Sequence, residues 1–260
     1  MNYIKKYGEK ELWNHGLVEL FDFSRANQNE ESRIEAVTFV AGECAGAEPK
    51  DRKKLYERLK HESCGMPASS FEFVRNSFDP DLLCSLRNWM EQETIEGYSE
   101  SLSKHTVDSL SSMLVNGLAT FRIKAPIFII RQIVRHRSFA YQELSRRLPV
   151  NDERPLEYWD SWENFGICVG KPAPEMIKDT VENMYNCLIR EGERPEIARA
   201  ILPLGTYSTI WMQGEVDAFR NYFEVRVDPR AQKEHQELAK VMLGLLKEHQ
   251  PVFYDHVRVE

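Results

Sequence analysis

Arg131-Gln-Ile-Val-Arg-His-Arg-Ser-Phe-Ala-Tyr-Gln-Glu-Leu-Ser-Arg-Arg147 holds five arginines, one histidine, one glutamate and two serines in seventeen residues. The run before it, Lys124-Ala-Pro-Ile-Phe-Ile-Ile130, is almost wholly apolar. Ile127, Ile130, Ile133 and Val134 recur at helical spacing and predict a helix with one face in the core. Pro126 suits its first turn, where a missing N–H costs nothing, and Leu148-Pro149 would stop it. On that helix Gln132 and Arg131 each align with Arg135. Arg135-His136-Arg137 then sets positive charge against apolar surface, and such charge requires an anionic partner. A solvated basic helix end is one reading. A phosphate or diphosphate site is the other, because guanidinium groups chelate phosphate oxygens in bidentate fashion.

Working outward, the 260 residues allow one large domain or two small ones. Hydrophobic residues form 42%, enough for a sizeable core, and the mean hydropathy is −0.51. No apolar run is long enough to span a bilayer, and the N-terminal residues lack a signal-peptide apolar segment, so a cytoplasmic protein without membrane contact is expected. The net charge of −7 disfavours nucleic acid as a partner. Local arginine clusters in an acidic chain suit a small anionic ligand better. Cys44, Cys64, Cys84, Cys168 and Cys187 are scattered, without a Cys-x-x-Cys pair. Buried free thiols are expected, with no disulfide framework and no metal site.

Gly16-Leu-Val-Glu-Leu-Phe-Asp-Phe23 alternates like a strand. Glu35 to Val40 reads as a strand or the end of a helix, and Lys50 to Lys60 as a short amphipathic helix. His61 to Phe73 is a loop. Residues 75–117 have helical stretches and read as an inserted helical subdomain or lid. Gly117 to Lys124 is a strand, with Leu118, Thr120, Arg122 and Lys124 on one side and Ala119, Phe121 and Ile123 on the other. Residues 150–175 read as an irregular loop. Pro174 to Glu191, Trp211 to Phe223 and Ala231 to His249 read as helices. His235 and His249 on the last of these are too far apart to share a metal, which favours a solvated face.

Arg135-His136-Arg137, seven residues, then Ser145-Arg146-Arg147 resembles the signature of the flavin-dependent thymidylate synthases. Ala198-Arg199-Ala-Ile-Leu202-Pro203 is similar to a second family element. Arg226, Asp228, Ala231, Gln232 and Glu234 keep step with a third. Ser69-Ser70-Phe71-Glu72-Phe73 resembles a fourth, without its proline and final histidine. The resemblance implies an α+β fold: an antiparallel sheet flanked by helices in one domain over 1–260, with the helical insertion at about 75–117.

It also implies C5-methylation of dUMP to dTMP. 5,10-Methylenetetrahydrofolate would be the carbon donor, FAD the hydride carrier and NADPH the reductant, in a homotetramer with shared active sites. Arg226 matches the catalytic arginine, whose guanidinium would stabilise the anionic pyrimidine ring. Gln132, Arg135, Glu143, Ser145, Arg147, Arg199 and Arg226 match nucleotide contacts. Ser69, Arg135, His136, Arg137, Glu143 and Asn221 match flavin contacts. The chain departs from the pattern at Ala140, Gln142 and Leu148. Glu215 and Asp217 stand where the family has an asparagine and an arginine at the flavin. Three outcomes follow: FAD held differently, a variant nucleotide such as UMP, or a nucleotide-binding relative without the synthase activity.

Overall fold

The computed structural model describes residues 4–22, 30–45, 50–61, 118–146, 155–159, 173–249 and 254. The expected insertion at 75–117, Ser69 with its loop, and Arg147 lie outside the described residues. The charged N-terminal run forms β1 (Lys5–Leu12), and a three-residue turn leads into β2 (Gly16–Asp22). β3 (Leu118–Pro126), β4 (Ala140–Glu143) and β5 (Tyr207–Glu215) complete an antiparallel sheet in the order β1-β2-β3-β5-β4. β1 is an edge strand, and its exposed lysines and glutamates suit a place where unpaired backbone must not attract another strand. The α+β class expected from the sequence is the one observed.

Helices cover both faces. α1 (Glu30–Ala45) and α2 (Arg52–His61) follow β2, and the first resolves the Glu35–Val40 ambiguity as helix. Ala36 and Val40 of α1 pack with Phe21, Ala140 and Trp211 on one face of the sheet. There Arg122 of β3 bonds Glu19 at 2.6 Å and reaches Glu43 of α1 at 3.1 Å. On the opposite face Val18, Leu20, Phe121, Ile123, Ile210 and Met212 form the main core. They meet α3 (Ile127–Ile133), α6 (Val216–Arg226) and α7 (Lys233–His249). The alternation read along β3 therefore corresponds to two differently packed faces. Each fully buried Ile or Phe here contributes about 1.5–3 kcal/mol by leaving water. Between β4 and β5 run α4 (Ala173–Arg190) and α5 (Pro195–Ala198), which continues into a 3-10 turn at Arg199–Ile201.

Four expectations need correction. The helix after Pro126 does not continue to Leu148. It ends at Ile133, and the chain turns through Arg135–Ser138 into β4. Pairing of β4 with β5 outweighs the local helical pattern, and Tyr141 Oη takes up the helix-end carbonyls of Ile133 and His136 at 2.7 and 2.9 Å. Trp211 to Glu215 is strand, and helix begins only at Val216. β5 is central and buried on both sides, so it lacks the polar alternation that marks a half-exposed strand. His235 is not on a solvated face; it is fully buried. Cys187, expected buried, is an exposed free thiol.

Candidate active site

The end of α3, the turn after it and the end of α6 meet at one place. Arg226, the last residue of α6, donates from Nε to His136 Nε2 at 2.9 Å. Its terminal nitrogens make long contacts of 3.5 Å to the side-chain and main-chain oxygens of Gln132. Arg226 is half-buried, and among the described residues no carboxylate pairs with it. Its positive charge is therefore oriented by neutral acceptors and not compensated by any described residue.

The neighbours complete a chain of hydrogen bonds. Gln132 Nε2 donates to Gln232 Oε1, and Gln232 in turn donates to Glu234 at 2.8 Å. His235 Nδ1 lies 3.1 Å from Gln132 Oε1, and its Nε2 lies 2.9 Å from the Tyr222 hydroxyl. The His136 ring meets the Tyr222 ring edge-on, with centroids 4.9 Å apart. Because Arg226 Nε is a donor only, His136 Nε2 must be bare and the ring neutral. Burial, then the charge of Arg226, lowers its pKa to about 4. Burial likewise holds His235 down to about 3, with smaller contributions from Arg226 and His136.

A second group lies around Glu143. Its carboxylate accepts from Ser208 Oγ at 3.0 Å. The residue keeps an exposed face, yet protein crowds its carboxyl, and that desolvation raises its pKa. The Ser208 bond, then the Arg199 and Arg131 guanidinium charges, oppose the rise. Two arginines from separate segments thus act on one carboxylate at the sheet edge.

A family model described as thymidylate synthase complementing protein matches residues 67–252, well over half of the chain. The chain belongs to this family, that of the flavin-dependent thymidylate synthases. A member from Synechocystis sp. is 32% identical over 144 residues, covering 51% of this chain and 67% of that relative. One from Thermotoga neapolitana is 29% identical over 197 residues, covering 74% of this chain and 85% of the relative. Among solved structures, a UMP/dUMP methylase from Streptomyces cacaoi bound with 5-Br UMP has a TM-score of 0.42 and 23% identity, covering 53% of this chain and 71% of that one.

Of the residues that match the family's nucleotide and flavin contacts, the structure brings Gln132, His136 and Arg226 into direct contact. Glu143 and Arg199 interact electrostatically, although Arg199 is solvent-exposed rather than set into apolar surroundings. Arg135, Arg137 and Asn221 are exposed, and Ser145 is half-buried. Tyr222, His235, Tyr141 and Ser208 escaped the family pattern. One signal for His235 was available: His235, Leu238, Ala239 and Met242 share a stripe at helical spacing, and all are buried. Tyr222 offered none, since an aromatic residue on α6 looks like ordinary core. Among the described residues no helix is long and apolar enough to cross a membrane.

Proposed function

We propose that the chain methylates C5 of a pyrimidine nucleoside monophosphate, with dUMP the first choice and UMP the alternative. The carbon donor would be 5,10-methylenetetrahydrofolate, with FAD as hydride carrier and NADPH as reductant, in a cytoplasmic homotetramer. Family membership supports the reaction class. The observation that carries the residue assignment is Arg226: a guanidinium oriented by His136 and Gln132 with no carboxylate among the described residues to neutralise it. Such a group lowers the energy of a uracil ring as negative charge develops on it, because its donors are already in place. Three of its five N–H donors face His136 and Gln132, which leaves two for a pyrimidine carbonyl and N3. Neutral acceptors orient the cation without spending its charge.

In this reading Ser145, Arg147 and Arg199 bind the phosphate, and Glu143, held by Ser208, orients the nucleotide with Gln132 and Arg135. The methylene carbon would bond to C5 as its bonds to the folate nitrogens break, the C5 hydrogen would leave as a proton, and a reduced flavin, when bound, would supply the hydride that completes the methyl group. The exposed turn Arg135-His136-Arg137 fits the anionic part of a flavin dinucleotide, since neither arginine has a carboxylate partner among the described residues. The start of α6 does not fit it. Asp217 stands there paired with Arg220 at 3.0 Å, and a carboxylate repels a diphosphate. That observation favours a second reading, a nucleotide-binding relative that has lost the synthase activity.

The test is incubation with FAD, NADPH, methylenetetrahydrofolate and C5-tritiated dUMP or UMP. Tritium release into water is expected, and the nucleotide that releases it faster is the substrate. Binding of both nucleotides with no tritium release above background would reject methylation and leave the second reading.

A further inference from the structure

His235 sits between two fixed partners, Tyr222 Oη at Nε2 and Gln132 Oε1 at Nδ1. His235 and Tyr222 are fully buried, so solvent cannot replace Tyr222 at Nε2, while the half-buried Gln132 holds Nδ1. A neutral imidazole has one N–H and one bare nitrogen, and two arrangements can satisfy this site. In the first, Tyr222 donates to a bare Nε2, and the Nδ1–H donates to Gln132 Oε1. In the second, Nε2–H donates to Tyr222, whose own proton then turns to the Met242 sulfur 3.8 Å away, a weak acceptor. The bare Nδ1 would then require the Gln132 amide to rotate and present its NH2. That rotation would set the NH2 against the Arg226 donors and the amide oxygen against the Phe128 carbonyl. Buried mismatches of this kind are costly. Only the first arrangement leaves the Gln132 oxygen facing Arg226.

We infer that Tyr222 and His235 are positioning residues for Arg226. The Tyr222 hydroxyl selects the His235 tautomer, the His235 Nδ1–H orients the Gln132 amide, and the amide oxygen orients the guanidinium. Tyr222 also supports the other side, where its ring edge packs against His136, the acceptor of Arg226 Nε. The inference rests on the reading of Arg226 as the group that activates the pyrimidine. Neither Tyr222 nor His235 touches substrate in this account.

The experiment compares the full chain with His235→Leu, His235→Asn and Tyr222→Phe by two readouts. Nitrogen NMR of the parent is expected to show a protonated Nδ1 and a bare Nε2 at His235. It should also show a protected Arg226 Nη–H, the donor to Gln132 Oε1, identified by its absence in Arg226→Lys. In His235→Leu that protection is lost and kcat falls about 10- to 100-fold, the scale of a small misplacement of a reacting group, with little change in the nucleotide KM. His235→Asn, whose side-chain NH2 stands near the place of Nδ1–H, restores both. A role in packing alone would lower thermal stability but leave the Nη–H protection and kcat intact, and that result overturns the inference. Should His235→Leu not fold, Tyr222→Phe removes only a hydroxyl and carries the same test. If the parent converts neither dUMP nor UMP, the methylation reading falls and NMR alone decides. Protection that persists in the variant overturns the relay, while its loss in the leucine variant and return in the asparagine variant uphold it.

Discussion

Gly214→Ala joins the sheet to the site in one experiment. Gly214 lies in β5 opposite Ala119, under the ring of Phe139. A Cβ at this position would stand 2.3 Å from Phe139 Cδ1 and 2.6 Å from Cε1, well inside van der Waals contact. The ring has little room to retreat. It is 7% exposed, its centroid is 4.7 Å from that of Phe219, and Tyr141 and Tyr222 flank it at 6.1 Å. Phe139 links the Arg135–Ser138 turn to β4, so moving its ring shifts the turn that holds His136 against Arg226. Overpacking of this kind costs about 1–3 kcal/mol. For a chain of this size each kcal/mol moves Tm by about 2–4 °C, so a fall of roughly 5 °C is expected. Urea denaturation should show a lower midpoint with an unchanged slope. Phe139→Ala costs about 3–5 kcal/mol by itself. The double variant should cost no more, because the added methyl then fills space that the ring has left. A Gly214→Ala protein with the parent's Tm, or a double variant whose loss equals both single losses together, would show that the added methyl does not press on the Phe139 ring.

Arg226→Lys should lower kcat for tritium release about 100- to 1000-fold, because an ammonium cannot meet His136 and Gln132 and still point two donors at the ring; an unchanged kcat would remove Arg226 from the chemistry. Acidification should destabilise the fold through His136 and His235, which are held at about 4 and about 3 against an ordinary 6.5. Below 6.5 the unfolded chain binds more protons than the folded one, so this contribution is complete above 6.5 and disappears as pH falls through 4 towards 3. Allowing for screening at the half-buried His136, the loss is on the order of 5 kcal/mol, most of it from the fully buried His235. Urea midpoints taken across that range should fall less steeply in His235→Leu than in the parent, and equal slopes would contradict the assignment. Glu19→Gln should cost about 1–3 kcal/mol, since the buried Glu19 carboxylate holds both Arg122 and Lys6; the check is the denaturation midpoint, and no shift would mean that solvent already screens both cations.

Motif spacing was enough to place this chain in its family. Periodicity was enough for β2, β3, α4 and α7, because the two helices carry an apolar stripe and the strands alternate apolar residues with polar ones, as Phe121 and Ile123 do with Thr120, Arg122 and Lys124. Arg226 was visible from its place before Asp228, Ala231 and Gln232. Elements whose surroundings come from distant segments were not legible. The run from Arg135 to Glu143 has the local pattern of a helix, yet it becomes a turn and a strand because β5, about seventy residues later, offers an edge to pair with. β5 looks helical from Trp211 because a strand buried on both faces carries no alternation to read. His235 shares the apolar stripe of α7, yet only the approach of Tyr222 and Gln132 makes it a neutral link in a hydrogen-bond chain. The sequence by itself determined which side chains could do the chemistry. Tertiary structure alone decided which of them share a hydrogen-bond chain, because donor, acceptor and tautomer are chosen by neighbours that the order of residues along the chain does not bring together.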